Sequence, residues 1–414
     1  MPAEPTPDTR QLHEQLVESL QAKGVIRSRS VEAAFRMVQR HLFVPHVDPE
    51  TAYADTVIPV KFNDDQHPIS SSSQPTMMAI MLEQLGLEPG MRVLEIGAGT
   101  GYNAALMGHI IGEDGLVVTV DIDADLVDNA AVHLQAAQAT NVQAIHTDGA
   151  LGVLEYAPYD RIILTVAAWD ITKAWMAQLA PGGRMVMPLM LTGGAQVSAA
   201  FERDGDALIS HNVSSCRFME LRGRAAAPET TNFIDLTNGL TIQHLNNASV
   251  DPKQVMRLLK YKPRVIRSGL DMRPNEVQQF LQWVGIYGTQ GLTLIARGKL
   301  LGKKAIPALF GDQDNYEATS GRLHPAGMAL WGWQPSTVSN QQHMYEIVAY
   351  AYGPDGENTA QPMLDDLHTW HQAGRPSLNG LQIRVVPKDQ AWPLQVDDLV
   401  LEKPSVNLIM HFNM

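Results

Sequence analysis

The residues best suited to chemistry lie in one stretch, Val93-Leu94-Glu95-Ile96-Gly97-Ala98-Gly99-Thr100-Gly101-Tyr102. Glycines at alternate positions let the backbone turn tightly and lie against a ligand with no Cβ between them. A dinucleotide fingerprint would want its third glycine at position 102, where tyrosine stands, and no Gly-Lys-Ser/Thr ending follows. Roughly twenty residues on, Asp121 ends the run Val118-Thr119-Val120, where a carboxylate can accept both hydrogens of a ribose diol. Asp123 reads as a cap for the next helix. Asp148-Gly149 follows a third apolar run and reads either as a ligand contact or as a plain turn.

Positioning these residues takes regular elements on either side. Apolar runs at 92–96, 116–120, 142–146, 159–166 and 183–188 read as strands, and the helical spacings at 76–85, 102–111, 124–138 and 174–179 read as helices. Strands alternating with helices imply parallel crossovers and an α/β fold with a doubly wound sheet. Runs near 197–202 and 213–221 predict an antiparallel close to that sheet. Upstream, 11–22 and 30–40 predict helices, residues 1–9 a tail, and 46–76 mostly loop. At 223–231 the composition shifts to a linker-like Gly-Arg-Ala-Ala-Ala-Pro-Glu-Thr-Thr, dividing the chain into domains 1–226 and 227–414. The second reads as α+β, with helices over 275–283 and 363–370 and strands over 292–296, 346–352, 381–386 and 406–412.

A net charge of -13 argues against broad nucleic-acid binding, which needs a basic surface. The single cysteine, Cys216, excludes an intrachain disulfide and, with no signal-like start, fits a reducing cytoplasm. No apolar run reaches membrane-spanning length, so no membrane partner is expected. The scattered histidines lack metal-ligand spacing, so no metal is expected.

The glycine spacing, with Glu95 ahead of it, resembles motif I of the class I methyltransferases. The resemblance widens over the first 222 or so residues, which are similar to the protein-L-isoaspartate O-methyltransferase family. It is carried by Arg40-His41-Leu42-Phe43-Val44-Pro45, Ala52-Tyr53-Ala54-Asp55, Pro75-Thr76-Met77-Met78-Ala79 and Met81-Leu82-Glu83. It continues through the glycine loop, Gly149 and Gly152, Pro158-Tyr159-Asp160, Pro181-Gly182-Gly183-Arg184 and Arg217-Phe218. It implies a Rossmann-like fold and S-adenosyl-L-methionine as cofactor, leaving S-adenosyl-L-homocysteine. The contacts it implies are Glu95, Gly97, Gly99, Gly101, Asp121, Asp148 and Gly149.

The family's reaction is methylation of an aspartyl or isoaspartyl carboxylate in a peptide or protein. A carboxyl group of pKa about 4 is already ionised at neutral pH, so it needs orientation and no general base. The family's active-site serine maps to Ser73 when anchored on Pro75, and to Ser70 when anchored on Ile69; the helix start favours Ser73. His67 and Trp169 are candidate walls of the substrate pocket, each also readable as incidental or as packing. Cys216 is expected to be buried and inert.

The serine loop departs from the family's, with extra residues and without its usual glycines. Residues 227–414 carry Trp283, Trp331, Trp333, Trp370 and Trp392, read as core or as a peptide groove. The basic runs Lys260, Lys262, Arg264, Arg267 and Lys299, Lys303, Lys304 are read as a solvated face or as a site for an acidic leader. With its extension the chain resembles extended members of the family that accompany ribosomally made modified peptides. That resemblance implies methylation of an ordinary aspartate, giving aspartimide and then isoaspartate, and the altered serine loop and the extension favour this reading. The alternatives are repair of isoaspartyl damage and a peptide-binding module without catalysis. A nucleic-acid base methyltransferase is disfavoured by Thr165-Val166-Ala167-Ala168-Trp169, which lacks an Asn/Asp-Pro-Pro-aromatic motif.

Overall fold

The computed structural model describes residues 9–191, 195–228, 231–237, 239–245, 250–288, 291–312, 316–336, 344–396 and 398–412. Three helices lead: α1 (Thr9–Ala22), α2 (Arg29–Met37) and α3 (Pro49–Tyr53). Their starts are chemically marked. Ser28 Oγ accepts from Val31 N, and the Asp48 carboxylate accepts from Thr51 N ahead of Pro49. Leu16, Val17, Leu20, Ala34 and Phe35 form the buried face.

The segment 46–76, expected as mostly loop, holds α3 and an antiparallel hairpin, β1 (Ile58–Phe62) and β2 (Pro68–Ser72), before α4 (Pro75–Leu85). The second strand escapes a hydropathy reading because its buried side chains are hydroxyls, Ser70 and Ser72, and the first buries only Ile58.

The alternation of strand and helix then follows as β3 (Arg92–Ile96), α5 (Tyr102–Ile111), β4 (Leu116–Asp121), α6 (Ala124–Ala136), β5 (Val142–His146), β6 (Tyr159–Leu164), α7 (Lys173–Gln178) and β7 (Leu179–Met190). These strands pair in parallel in the order β5-β4-β3-β6-β7. The chain moves outward from β3 in one direction and resumes on its other side at β6. That reversal opens a crevice at the carboxyl ends of the two strands. β8 (Gln196–Asp204) and β9 (Ala207–Ser215) close the sheet antiparallel. The second of these was expected to run to 221; it ends at Ser215.

Next come β10 (Thr231–Thr237), β11 (Leu240–Leu245), α8 (Pro252–Leu258), β12 (Arg264–Met272), α9 (Pro274–Tyr287), β13 (Leu292–Arg297), β14 (Phe310–Asp312), β15 (Tyr316–His324), β16 (Gly327–Pro335), β17 (Tyr345–Tyr352) and α10 (Gly356–Gln372). The strands form one antiparallel sheet ordered β10-β11-β13-β15-β16-β17-β12, with β14 on β15. Trp331 and Trp370 pack on Phe280 and are fully buried, and Trp283 is nearly so. Those three tryptophans build core; Trp333 is exposed.

The last strands are β18 (Leu381–Pro387), β19 (Leu399–Glu402) and β20 (Val406–Phe412). They continue the first sheet beyond β9 in the order β9-β18-β20-β19. Two compact units result. One contains the chain to Met190, Gln196–Ala227 and Gln382–His411; the other contains Leu191–Ala195, Pro228–Leu381 and Phe412–Met414. The break between Ala227 and Pro228 lies beside the expected division at 226/227, while residues 191–195 go to the second unit and residues 382–411 return to the first.

Candidate active site

A cavity of about 470 Å³ opens in the first unit where β3, β4 and β6 end. The glycine loop forms one wall. Gly97 N and Ala98 N both donate to Val120 O, at 2.8 and 2.9 Å, which ties the loop to the end of β4. Gly97 has φ +103°, and a Cβ there would lie 2.6 Å from Thr165 Oγ1, so only glycine fits. That hydroxyl instead donates to Gly97 O at 2.6 Å.

Asp121 sits beside this loop. Its Oδ2 accepts from Gly99 N at 3.1 Å and its Oδ1 from Asp123 N at 3.2 Å. Each oxygen retains an acceptor position. Burial pushes the Asp121 carboxyl above its ordinary value, against the pull of those two N–H groups. Asp123 does not cap α6 with its side chain; its carboxylate pairs with Arg222 and Lys61.

Glu95 also borders the cavity, yet it is wholly buried and both oxygens are engaged. Asn103 Nδ2 donates to Oε1 at 2.7 Å and Thr119 Oγ1 to Oε2 at 2.6 Å. Desolvation pushes its carboxyl up to about 7 despite those bonds. Gly149 lines the cavity. Asp148 does not, because its carboxylate is turned toward Ala150 N and Arg224 N.

The serine hairpin supplies a second wall. Ser70, Ser71, Ser72 and Ser73 all line the cavity. A Cβ on Gly99 would come within 3.3 Å of Ser71 O, so hairpin and glycine loop abut. The register at Ser73 is held from two sides. Arg40 Nη2 donates to Ser73 O at 3.0 Å, and Asp55 accepts from Thr76 N and Thr76 Oγ1 at the start of α4. Arg40 is fully buried, and its Nη atoms also reach the carbonyls of Ala52, Ala54 and Thr56. Residues 215–222 form a third wall that includes Cys216, Arg217 and Phe218. Cys216, expected to be buried, is half-buried just past β9 and faces the cavity; desolvation still pushes its thiol up.

Besides Asp148, three site candidates singled out from the sequence lie outside the lining: Gly101, His67 and Trp169. A Cβ on Gly101 would meet Ala130 and Leu134, so that glycine serves the packing of the loop on α6. His67 is exposed at the hairpin tip, where its N–H donates to Asn63 Oδ1. Trp169 packs against Lys403, whose Nζ lies 3.1 Å from its ring centroid. Reading the sequence missed Arg40, Asn103 and Thr165 as individual actors. Arg40 appeared only inside a matching string, and a threonine just past a strand carries no local signal.

A family model described as Protein-L-isoaspartate(D-aspartate) O-methyltransferase (PCMT) matches residues 10–226. The chain belongs to this family. Protein-L-isoaspartate O-methyltransferase 2 of Archaeoglobus fulgidus is 39% identical over 217 residues, covering 52% of this chain and 95% of that protein. The enzyme of Hyperthermus butylicus is 38% identical over 226 residues, covering 52% and 90%. A solved structure of a protein-L-isoaspartate O-methyltransferase aligns over 90% of this chain and 96% of its own, at 25% identity and TM-score 0.50. That alignment is too long to be confined to the family-matched segment, so much of the extension has a counterpart there.

As a PCMT family member the chain is a methyltransferase of the class I α/β fold, and its cofactor is S-adenosyl-L-methionine. The residues present suit that group. The bare backbone at Gly97 leaves no side chain in the way, and Asp121 offers acceptors for a pair of hydroxyls.

Proposed function

We propose that this chain esterifies the free carboxylate of an isoaspartyl residue in peptides and proteins, the step that opens repair of such damage. The observation that carries this reading is the abutment of the serine hairpin and the glycine loop across one cavity. When bound, S-adenosyl-L-methionine supplies an electrophilic methyl on a cationic sulfur, which an ionised carboxylate can take without a general base.

The chain's own part is placement. Asp121 holds the ribose hydroxyls, while the bare backbone at Gly97 and Gly99 leaves room for the cofactor; Gly101, outside the cavity, lets the loop pack on α6. Ser73 orients the acceptor through its hydroxyl, with Ser70 as the alternative donor. Arg40 keeps the Ser73 backbone in register and makes no contact with the acceptor. A neutral hydroxyl suits this task, since a guanidinium would hold the carboxylate in place of releasing it to react.

The acceptor choice rests on two supports. The relatives matched over the first unit carry the isoaspartyl name, and the extension has a counterpart in a solved protein of that name. The second point weakens the expectation of a dedicated peptide, which leaned on the extension as a departure. A tailoring role on an ordinary aspartate keeps one specific support, the four-serine run of the hairpin.

The test gives full-length enzyme equal amounts of a generic isoaspartyl peptide and its aspartyl twin, with mass spectrometry following methyl gain. Methylation of the isoaspartyl peptide alone is expected. The added methyl should leave as methanol at mildly alkaline pH, as the neighbouring amide attacks the ester. A methyl group that survives hot base would remove carboxyl methylation altogether.

A further inference from the structure

The family match ends at residue 226, yet residues 382–411 belong to the same compact unit as the cavity. The contact that matters lies in the turn between β19 and β20. Lys403 there is 1% exposed, although a buried ammonium is costly unless well partnered. Its Nζ donates to Met190 O at 2.9 Å and sits over the Trp169 ring. Two residues on, Ser405 N donates to Asp170 Oδ2 at 2.9 Å; the other oxygen, Oδ1, is buried with no hydrogen-bond partner among the described residues. Burial pushes the Lys403 amine down to about 7, with Asp170 opposing the shift.

The segment gripped in this way is the one that leaves the cavity. Thr165 and Val166 line it, and the chain then runs through Ala167 and Ala168 to Trp169 and Asp170. Ala167 N donates to Met219 O, and Leu221 N donates to Ala167 O, both at 2.8 Å. Ala168 is pinned on its other side by Pro188 O and Met190 N, each at 2.9 Å. Met219, Glu220 and Leu221 belong to the third wall of the cavity. A continuous set of bonds thus joins the C-terminal turn to that wall.

We propose that Lys403 and Ser405 form a C-terminal hook that sets the Ala167–Asp170 loop and, through it, the 215–222 wall, making Lys403 a positioning residue for methyl transfer. An apolar side chain of similar length would fill the same space at lower desolvation cost. What the amine adds is direction, because a carbonyl and a ring face locate it at one point. The hook also gives residues 382–411 a part in the catalytic unit that the family-matched segment does not supply.

Hydrogen–deuterium exchange on full-length wild type and Lys403→Met tests the hook. Exchange across 166–171 and 216–222 should accelerate by about tenfold, with 97–101 unchanged. Affinity for S-adenosyl-L-homocysteine should stay within about twofold. Faster exchange confined to 400–406, or spread evenly over the unit, overturns the proposal. Trp169→Phe keeps a packed ring and should shift the same amides less, so it decides the matter if Lys403→Met does not fold.

A kinetic arm rests on the isoaspartyl reading above. There KM for an isoaspartyl peptide should rise about fivefold with kcat retained. An unchanged KM would count against the hook. Should wild type fail to methylate that peptide, the acceptor reading falls and the exchange experiment still decides the hook.

Discussion

Arg40 donates through Nη2 to the backbone carbonyl of Ser73 at 3.0 Å, from a position with no exposed surface. No carboxylate bonds this guanidinium among the described residues; its acceptors are four carbonyls and, at 3.5 Å, Ser72 Oγ. Replacing it leaves those carbonyls without a buried donor. Arg40→Met should therefore lose stability on the order of 3 kcal/mol in urea titration. Arg40→Lys should recover only part of this, since a point charge cannot span the carbonyls that a planar fork reaches. A Lys variant as stable as wild type would show that the fork geometry is dispensable.

Asp121→Ala should weaken S-adenosyl-L-methionine binding by about 1.5–3 kcal/mol, roughly ten- to a hundred-fold in Kd. Part of the loss comes from the loop itself, since Gly99 N and Asp123 N lose their acceptors. Calorimetry on the purified protein gives the number directly, and an unchanged affinity removes Asp121 from the cofactor site.

Ser73→Ala should bind cofactor normally and slow transfer by roughly tenfold, because the acceptor loses one orienting donor. Ser70→Ala should leave the rate near wild type. Both hydroxyls belong to residues that line the cavity, so the reverse result would shift the catalytic register by three positions without changing the site.

Burial raises Glu95 from an ordinary carboxyl value to about 7. Between those values the unfolded chain gives up this proton while the folded chain keeps it. The contribution of Glu95 to stability is therefore full at low pH and falls as pH rises toward 7. Glu95→Gln, which cannot ionise, should gain on wild type as pH goes from 5 to 8. Thermal unfolding of both proteins across that range checks the sign; parallel curves would mean that Glu95 stays charged in the fold.

Sequence periodicity and glycine spacing were enough to locate the parallel sheet, the loop at Gly97–Gly101 and Asp121. Those features are local, because a buried strand must be apolar and a close backbone approach must lack a Cβ. The family resemblance was equally legible, being spread over short strings in fixed order. The fold alone decided what depends on distant partners. The serine run became a hairpin because Arg40 and Asp55 hold its end and its buried faces carry hydroxyls, which no hydropathy pattern reports. Trp169 turned from the cavity to Lys403, a residue 234 positions away by numbering (403 minus 169), and Asp148 turned to backbone N–H groups at Ala150 and Arg224. The return of residues 382–411 to the first sheet was equally hidden. An exposed strand edge selects its partner by backbone hydrogen bonding, which every residue but proline can supply. Side-chain identity therefore marks where a strand exists and leaves its neighbour to the tertiary structure.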